Sequence, residues 1–140
     1  ESNILKTIFI RLSAIGCRMF RVNVGRAWVG DDAIKVTAIN AGRVRLQPGD
    51  VVLRNGRRLN TGVPNGYSDA TGWTPVTISG RQVAVFTAIE AKSAKGRATE
   101  EQLNFLQAVH NAGGISGIAR SEDEAAKIID DYIHQHKLVS

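Results

Sequence analysis

The chain has 140 residues, 43% hydrophobic and 22% charged, with a formal net charge of +5, which suits one domain with a real core and is short for two. No apolar run approaches the ~20 residues of a membrane helix, and the opening ESNILKTIFIRLSAIG lacks a signal peptide's basic start and cleavage site. A lone cysteine, Cys17, excludes an internal disulfide, fits a reducing cytoplasm, and reads as a buried small hydrophobe rather than a nucleophile.

Ile4, Leu5, Ile8, Phe9, Leu12 and Ile15 recur at helical spacing and predict a first helix ending at Gly16. Phe20, Val22 and Val24 alternate with Arg21 and Asn23, which predicts a half-buried strand starting near Cys17. From Gly25 to about Gly80 the chain is rich in Gly, Asn, Arg and short apolar pieces. Irregular strands and turns are expected there, with Asn55-Gly56 as a tight turn. Thr74–Ile78 and Arg81–Lys92, around Ser79-Gly80, form the clearest hairpin. In its second strand Val83, Val85, Thr87 and Ile89 face one way, and Ala84, Phe86, Ala88, Glu90 and Lys92 the other. Both faces are largely apolar, so a central strand covered on both sides is expected. Thr99-Glu100-Glu101-Gln102 is a capping box opening a helix with Leu103, Leu106 and Val109 inward, stopped by Gly113-Gly114. Ile115–Ala119 reads as a short strand. Ser121–Glu124 opens a last helix that carries Ala125, Ile128, Ile129, Tyr132 and Ile133 and ends in His134, His136 and Lys137. The order α-β-β-β-α-β-α is that of one mixed α/β domain over residues 1–140.

The charge is uneven. Residues 1–60 hold eleven Lys or Arg against four Asp or Glu, and residues 61–140 hold seven against nine. Such an asymmetry describes either a polyanionic partner for the front half or a plain basic surface. Glu90 and Lys92, two apart on a strand, point to the same side about 6.5–7 Å apart at the backbone. Alone, Glu-x-Lys also describes an ordinary strand-end ion pair, and Asp69 in GYSDATG also suits an Asx turn. A neighbouring strand that brought Asp69 beside Glu90 would change their meaning. Two carboxylates about 4 Å apart repel by ~1 kcal/mol in water and ~4 kcal/mol at an effective dielectric of 20. One lysine does not neutralise two acids that must also receive a phosphate, whereas Mg²⁺ takes one or two carboxylates, waters and a phosphate oxygen.

GYSDATG, a strand ending IEAK, then KGRATEEQ and GGISGIARS together resemble the virus-type replication-repair nuclease (VRR-NUC) domain of the PD-(D/E)xK superfamily. The resemblance runs from Glu1 to the last helix. Its specific part is the joint pattern Asp69…Glu90-x-Lys92…Gly96-Arg97-x-Thr99-x-x-Gln102. It implies a restriction-endonuclease-like αβββαβ core, a mixed sheet flanked by helices. By the same resemblance Asp69 and Glu90 would ligate Mg²⁺ or Mn²⁺, with the backbone carbonyl of Ala91 as a further ligand. Lys92 would orient or activate the attacking water. Glu1 would match an acid on the family's first helix that completes the metal site, and Gln102 a polar residue supporting the lysine or a phosphate. Two departures stand out: Ser68 rather than Pro precedes Asp69, and Glu1 is the first residue.

Lys95 and Arg97 flank Gly96 just before a helix N-terminus, a good place for a substrate phosphate. Arg18, Arg21, Arg26, Arg43, Arg45, Arg54, Arg57 and Arg58 suit a DNA-backbone track. For Trp28, Tyr67 and Trp73, core or loop packing is expected ahead of base stacking. His134-x-His136 does not put both rings on one helical face and is not read as a metal site. The resemblance implies a homodimeric, Mg²⁺- or Mn²⁺-dependent DNA endonuclease that resolves four-way junctions, in a bacterial cytoplasm or encoded by a phage. Its rivals are a flap or restriction-type nuclease of the same fold and a non-catalytic DNA-binding module.

Overall fold

The computed structural model describes residues 2–35 and 46–137. Along the chain run α1 (Ser2–Ala14), β1 (Arg18–Arg21), β2 (Arg26–Val29), β3 (Asp32–Lys35), β4 (Val51–Arg54), β5 (Arg57–Asn60), β6 (Ala70–Ile78), β7 (Arg81–Ala91), α2 (Glu100–Asn111), β8 (Ile115–Ala119) and α3 (Glu122–Lys137). They fall into two compact units, one of residues up to 24 and from 64 onward, the other of residues 25–63.

The larger unit is built on a four-stranded mixed sheet in the order β1-β6-β7-β8. The first three strands are antiparallel neighbours, while β8 lies parallel to β7. Parallel neighbours need a crossover, and α2 supplies it. The predicted αβββαβ order is therefore present, as an α/β core with one further helix. Leu5, Ile8 and Leu12 of α1 and Ala125 and Ile129 of α3 pack with Val76, Val85, Ile89, Ala91 and Ile115 of the sheet. Ala88 of β7 packs with Leu106 and Val109 of α2. Alternation along β7 sends Ile89 and Ala91 to one layer and Ala88 and Glu90 to the other.

Three burial expectations need correction. The sheet-edge strand β1 is mostly exposed, and Phe20, 52% exposed, rests its ring on Trp73 at 5.6 Å instead of entering the core. Leu103 stands half exposed on α2, whereas Phe105 packs inward against Tyr67 at 4.6 Å between ring centroids. The central strand β7 is covered on both faces only in its second half; Val83 and Phe86 are exposed beside an apolar hollow of about 580 Å³ that Tyr132 also lines.

Cys17 is buried, as expected, and has polar company. Its Sγ lies 3.3 Å from Thr74 Oγ1, which lies 2.7 Å from Thr87 Oγ1, and the Thr87 hydroxyl donates to the Val85 carbonyl at 3.0 Å.

The second unit is a two-stranded antiparallel ribbon. β2 pairs with β5 and β3 with β4. One register runs through both pairs, from Arg26 opposite Asn60 to Lys35 opposite Val51. Asn55-Gly56 is thus no hairpin turn: it joins β4 to β5 as a kink in one long strand, opposite Gly30-Asp31. The kink has its own chemistry. Asn55 sits at φ +50°, and the Asp31 carboxylate accepts from Asn55 Nδ2 at 3.0 Å and from an Arg57 guanidinium nitrogen at 2.9 Å. The Asp31 N–H donates to the Arg54 carbonyl at 3.0 Å. A Cβ on Gly30 would come within 2.6 Å of that same carbonyl oxygen, so only glycine fits the close approach. The hydrogen bonds from Asn55 and then Arg57 hold the Asp31 carboxyl below the usual carboxylate range.

Candidate active site

The β6–β7 hairpin sets the site. Its register pairs Ala70 with Ile89, which places Asp69, one residue before β6, across from Glu90. The Asp69 backbone is held from both sides. Its N–H donates to Glu90 Oε2 at 3.3 Å, and its carbonyl accepts from Val22 N–H at 2.8 Å. The loop that delivers Asp69 runs hard against α2, and a Cβ on Gly66 (φ +85°) would come within 2.5 Å of the Glu101 backbone.

Glu90 is completely buried. Its Oε1 accepts from Lys92 Nζ at 2.8 Å and from Gln102 Nε2 at 2.5 Å. Lys92 follows β7 and ties the sheet end together through its N–H, which donates to the Ala119 carbonyl at 3.0 Å. In a planar trans peptide the preceding carbonyl points the opposite way. The Ala91 C=O is therefore aimed away from β8, toward the Ser68–Asp69 side where β6 has not yet begun.

Burial pushes the Glu90 carboxyl above its ordinary value of 4.5; the Lys92 hydrogen bond pulls it down and the Asp69 charge pushes it up again. Desolvation outweighs the single lysine, so the site is short of positive charge.

Gln102 divides its amide between two tasks. Its Oε1 accepts from the Thr99 N–H at 2.9 Å and its own N–H donates to Thr99 Oγ1 at 3.2 Å, closing the capping box. Its Nε2 is left to hold Glu90. The helix start and the buried acid are thereby locked to each other, a contact the capping-box pattern alone does not reveal.

Asp69, Thr99 and Gln102 line a polar cleft of about 540 Å³, with Arg21, Asn23 and Tyr67 also on its walls. Lys95 and Arg97 are exposed on the loop leading to α2. That loop is pinned by Arg120, whose Nη2 donates to the Gly96 carbonyl at 2.8 Å. Sequence reasoning passed over Arg120. The sequence carries no local signal for it, since its place depends on the parallel register that pairs Ala91 with Ala119. Ser68, at the position of the family's proline, is fully buried, and its Oγ has no hydrogen-bond partner among the described residues. Arg26 belongs to β2 in the second unit. Glu1, Arg43 and Arg45 lie outside the described residues.

Compared with known protein families, residues 44–123 match the VRR-NUC domain, more than half of the chain. The chain belongs to the VRR-NUC family. Membership implies a nuclease-type function with DNA as substrate, in a class of domain that is typically metal-dependent. The matched VRR-NUC span contains Asp69, Glu90, Lys92 and Gln102, together with the β6–β7 hairpin and α2. Searches of curated proteins and of solved structures returned no match. No helix among the described residues is long and apolar enough to cross a membrane.

The donor set suits a hard cation. Asp69 and Glu90 are neighbours across the VRR-NUC hairpin, the Ala91 carbonyl is directed to the same edge, and the Glu90 carboxyl is raised where a cation would lower it. Oxygen donors of this kind suit a hard divalent cation. Among the described residues no group of three or more His, Cys, Asp or Glu is gathered for a metal ion.

Proposed function

We propose that this VRR-NUC protein is a Mg²⁺- or Mn²⁺-dependent endodeoxyribonuclease acting as a homodimer on four-way junctions, in a bacterial cytoplasm or encoded by a phage. Residues 1–140 then act as one VRR-NUC domain. The observation that carries the reading is a fully buried Glu90 set opposite Asp69 and 2.8 Å from Lys92. A buried acid with a raised pKa beside a second acid is an arrangement that costs stability and suits catalysis.

In this reading the Asp69 and Glu90 carboxylates and the Ala91 carbonyl hold the cation, with Glu1 as a further acid. Once bound, the cation supplies charge neutralisation and Lewis-acid polarisation of a phosphoryl oxygen, a contribution of several kcal/mol. Lys92 Nζ orients the attacking water and donates to charge building on the phosphate. Gln102 keeps Glu90 from swinging. Arg21, on the cleft wall, and Lys95 and Arg97, on the loop before α2, take the flanking phosphates, and Arg26 adds a backbone contact from the ribbon. Two copies related by a twofold axis fit paired incisions in a branched substrate.

Incubation of the purified protein and Mg²⁺ or Mn²⁺ with four-way junctions, flaps and linear duplex tests the proposal, with light scattering to give the mass. Preferential, paired nicking of junctions by a dimer is expected. Equal cleavage of plain duplex, preference for flaps, or no cleavage at all would overturn the junction reading.

The Gln102 role has a sharper test. Glu is itself a good capping-box partner at this position, so Gln102→Glu should preserve the start of α2. It removes the donor to Glu90 and sets a like charge beside it. Cleavage is expected to fall by about 10-fold or more, an effect of roughly 1.4 kcal/mol on the barrier, with unchanged far-UV circular dichroism. Full activity in this variant would show that the contact to Glu90 is incidental.

A further inference from the structure

The ribbon of residues 25–63 contains no buried residue among those described. A lone two-stranded ribbon is marginal in water, and this one is held in shape by its ladder and the Asp31 clamp. It nevertheless displays a large aromatic, since Trp28 is 60% exposed. Residues directly opposite across an antiparallel pair share a face. Trp28 opposite Arg58 and Arg26 opposite Asn60 therefore make one face, where the Arg58 guanidinium lies 5.5 Å from the Trp28 ring centre. Arg26, Trp28 and Arg58 line a shallow hollow there of about 220 Å³. Arg57 belongs to the other face, where Asp31 engages it.

We infer that this ribbon is a DNA-contacting arm whose Trp28–Arg58 face stacks on an opened base, one left without a stacking neighbour at the branch point of a four-way junction or in a single strand. The inference rests on the nuclease reading for its choice of DNA. An exposed ring that carries a guanidinium over its face is a surface on which a base can stack in that guanidinium's place, freeing the cation for a phosphate. A base inside a duplex has both faces covered by its neighbours, so this surface selects nucleotides that lack one. The segment as a whole carries seven Lys or Arg against three Asp, which complements a polyanion. A second copy of the chain is the poorer occupant: a twofold axis through this face would set Arg26 and Arg58 against their own copies.

The test uses the full chain with Glu90→Gln, so that DNA is bound without being cut. Trp73→Phe leaves Trp28 as the sole tryptophan of the two in the sequence. Emission from Trp28 is expected to be quenched by a four-way junction, by a short single strand and by a flapped duplex, and to be unchanged by a blunt duplex. Trp28→Ala should weaken flap binding roughly 5- to 150-fold and leave blunt-duplex binding within about twofold, while Trp28→Phe retains much of the lost affinity. Arg58→Ala should lower the salt dependence of binding by about one unit of slope. A 2-aminopurine placed at the flap base reports the same contact in the Trp73-containing protein. Equal quenching by blunt duplex, no quenching, or an unchanged affinity in Trp28→Ala would overturn the inference. So would a loss of affinity accompanied by a halved mass, which would make the ribbon an interface between copies. Wild-type cleavage with no Trp28 signal defeats the arm alone; quenching without cleavage in any metal defeats the nuclease reading alone.

Discussion

Glu90→Gln is expected to lose DNA cleavage by about 10³-fold or more, equivalent to at least ~4 kcal/mol on the barrier, while folding and DNA binding persist. Gln keeps the shape of Glu and an oxygen for Lys92 and Gln102, the two donors that now share Oε1. It removes the charge that would hold a divalent ion. The more drastic Glu90→Ala is less informative. It removes the Glu90 side of a pair with Lys92, whose side chain is only 11% exposed, and breaking a buried pair from one side costs about 3–5 kcal/mol. Cleavage of a labelled junction and the thermal shift produced by Mn²⁺ check the variant together. Wild-type cleavage by Glu90→Gln would remove this residue from the chemistry.

Asp69→Asn should do two things that pull apart activity and stability. Cleavage is lost, because the cation loses a carboxylate. The metal-free protein gains stability, because the charge opposed to Glu90 has gone. Two neighbouring like charges repel by at least about 1 kcal/mol, the value for full water screening, and by more where one of them is buried, so the melting temperature should rise by roughly 2–5 °C or more. The pH dependence follows from the raised Glu90 pKa. Between the ordinary value of 4.5 and the higher folded value, the folded state holds a proton that the unfolded state has released. Stability of the metal-free protein therefore falls as pH rises through that window and levels off above it. Removing the Asp69 charge narrows the window, so the gain from Asp69→Asn should be larger at neutral pH than near pH 4. A variant that melts below the wild type at neutral pH would mean that the acid at position 69 is held by stabilising partners instead.

Local signals carried most of the core. The Ser79-Gly80 turn, the apolar run into Glu90-x-Lys92 and the Thr99 capping box each declare themselves within a few residues, and the structure has the hairpin, α2 and the alternation of Glu90 and Lys92 where they were expected. The position of Asp69 opposite Glu90 follows from hairpin register once β6 is extended back to Ala70. What escaped was non-local. The Asn55-Gly56 pair has the composition of a hairpin turn, yet the strands on either side of it pair with residues 26–35, far back in the chain. Neither strand buries a regular alternate set of side chains, so no hydrophobic period announced the pairing. Period alone points Leu103 and Phe20 inward, but apolar residues are often left on protein surfaces. The contact from Gln102 to Glu90 joins two locally legible motifs and depends on how closely α2 docks on β7.

The hydroxyl relay beneath the sheet fixes where its protons sit. Thr87 spends its one proton on the Val85 carbonyl, so Thr74 must donate to Thr87, and the hydrogen between Cys17 and Thr74 belongs to the thiol. Burial also lifts the Cys17 pKa, which keeps sulfur in its unreactive form. Alkylating reagents can then modify this chain only after the strands carrying Thr74 and Thr87 part from the segment carrying Cys17. The sole sulfhydryl is thereby a native clock for the parting of those segments, one that ticks without any engineered label.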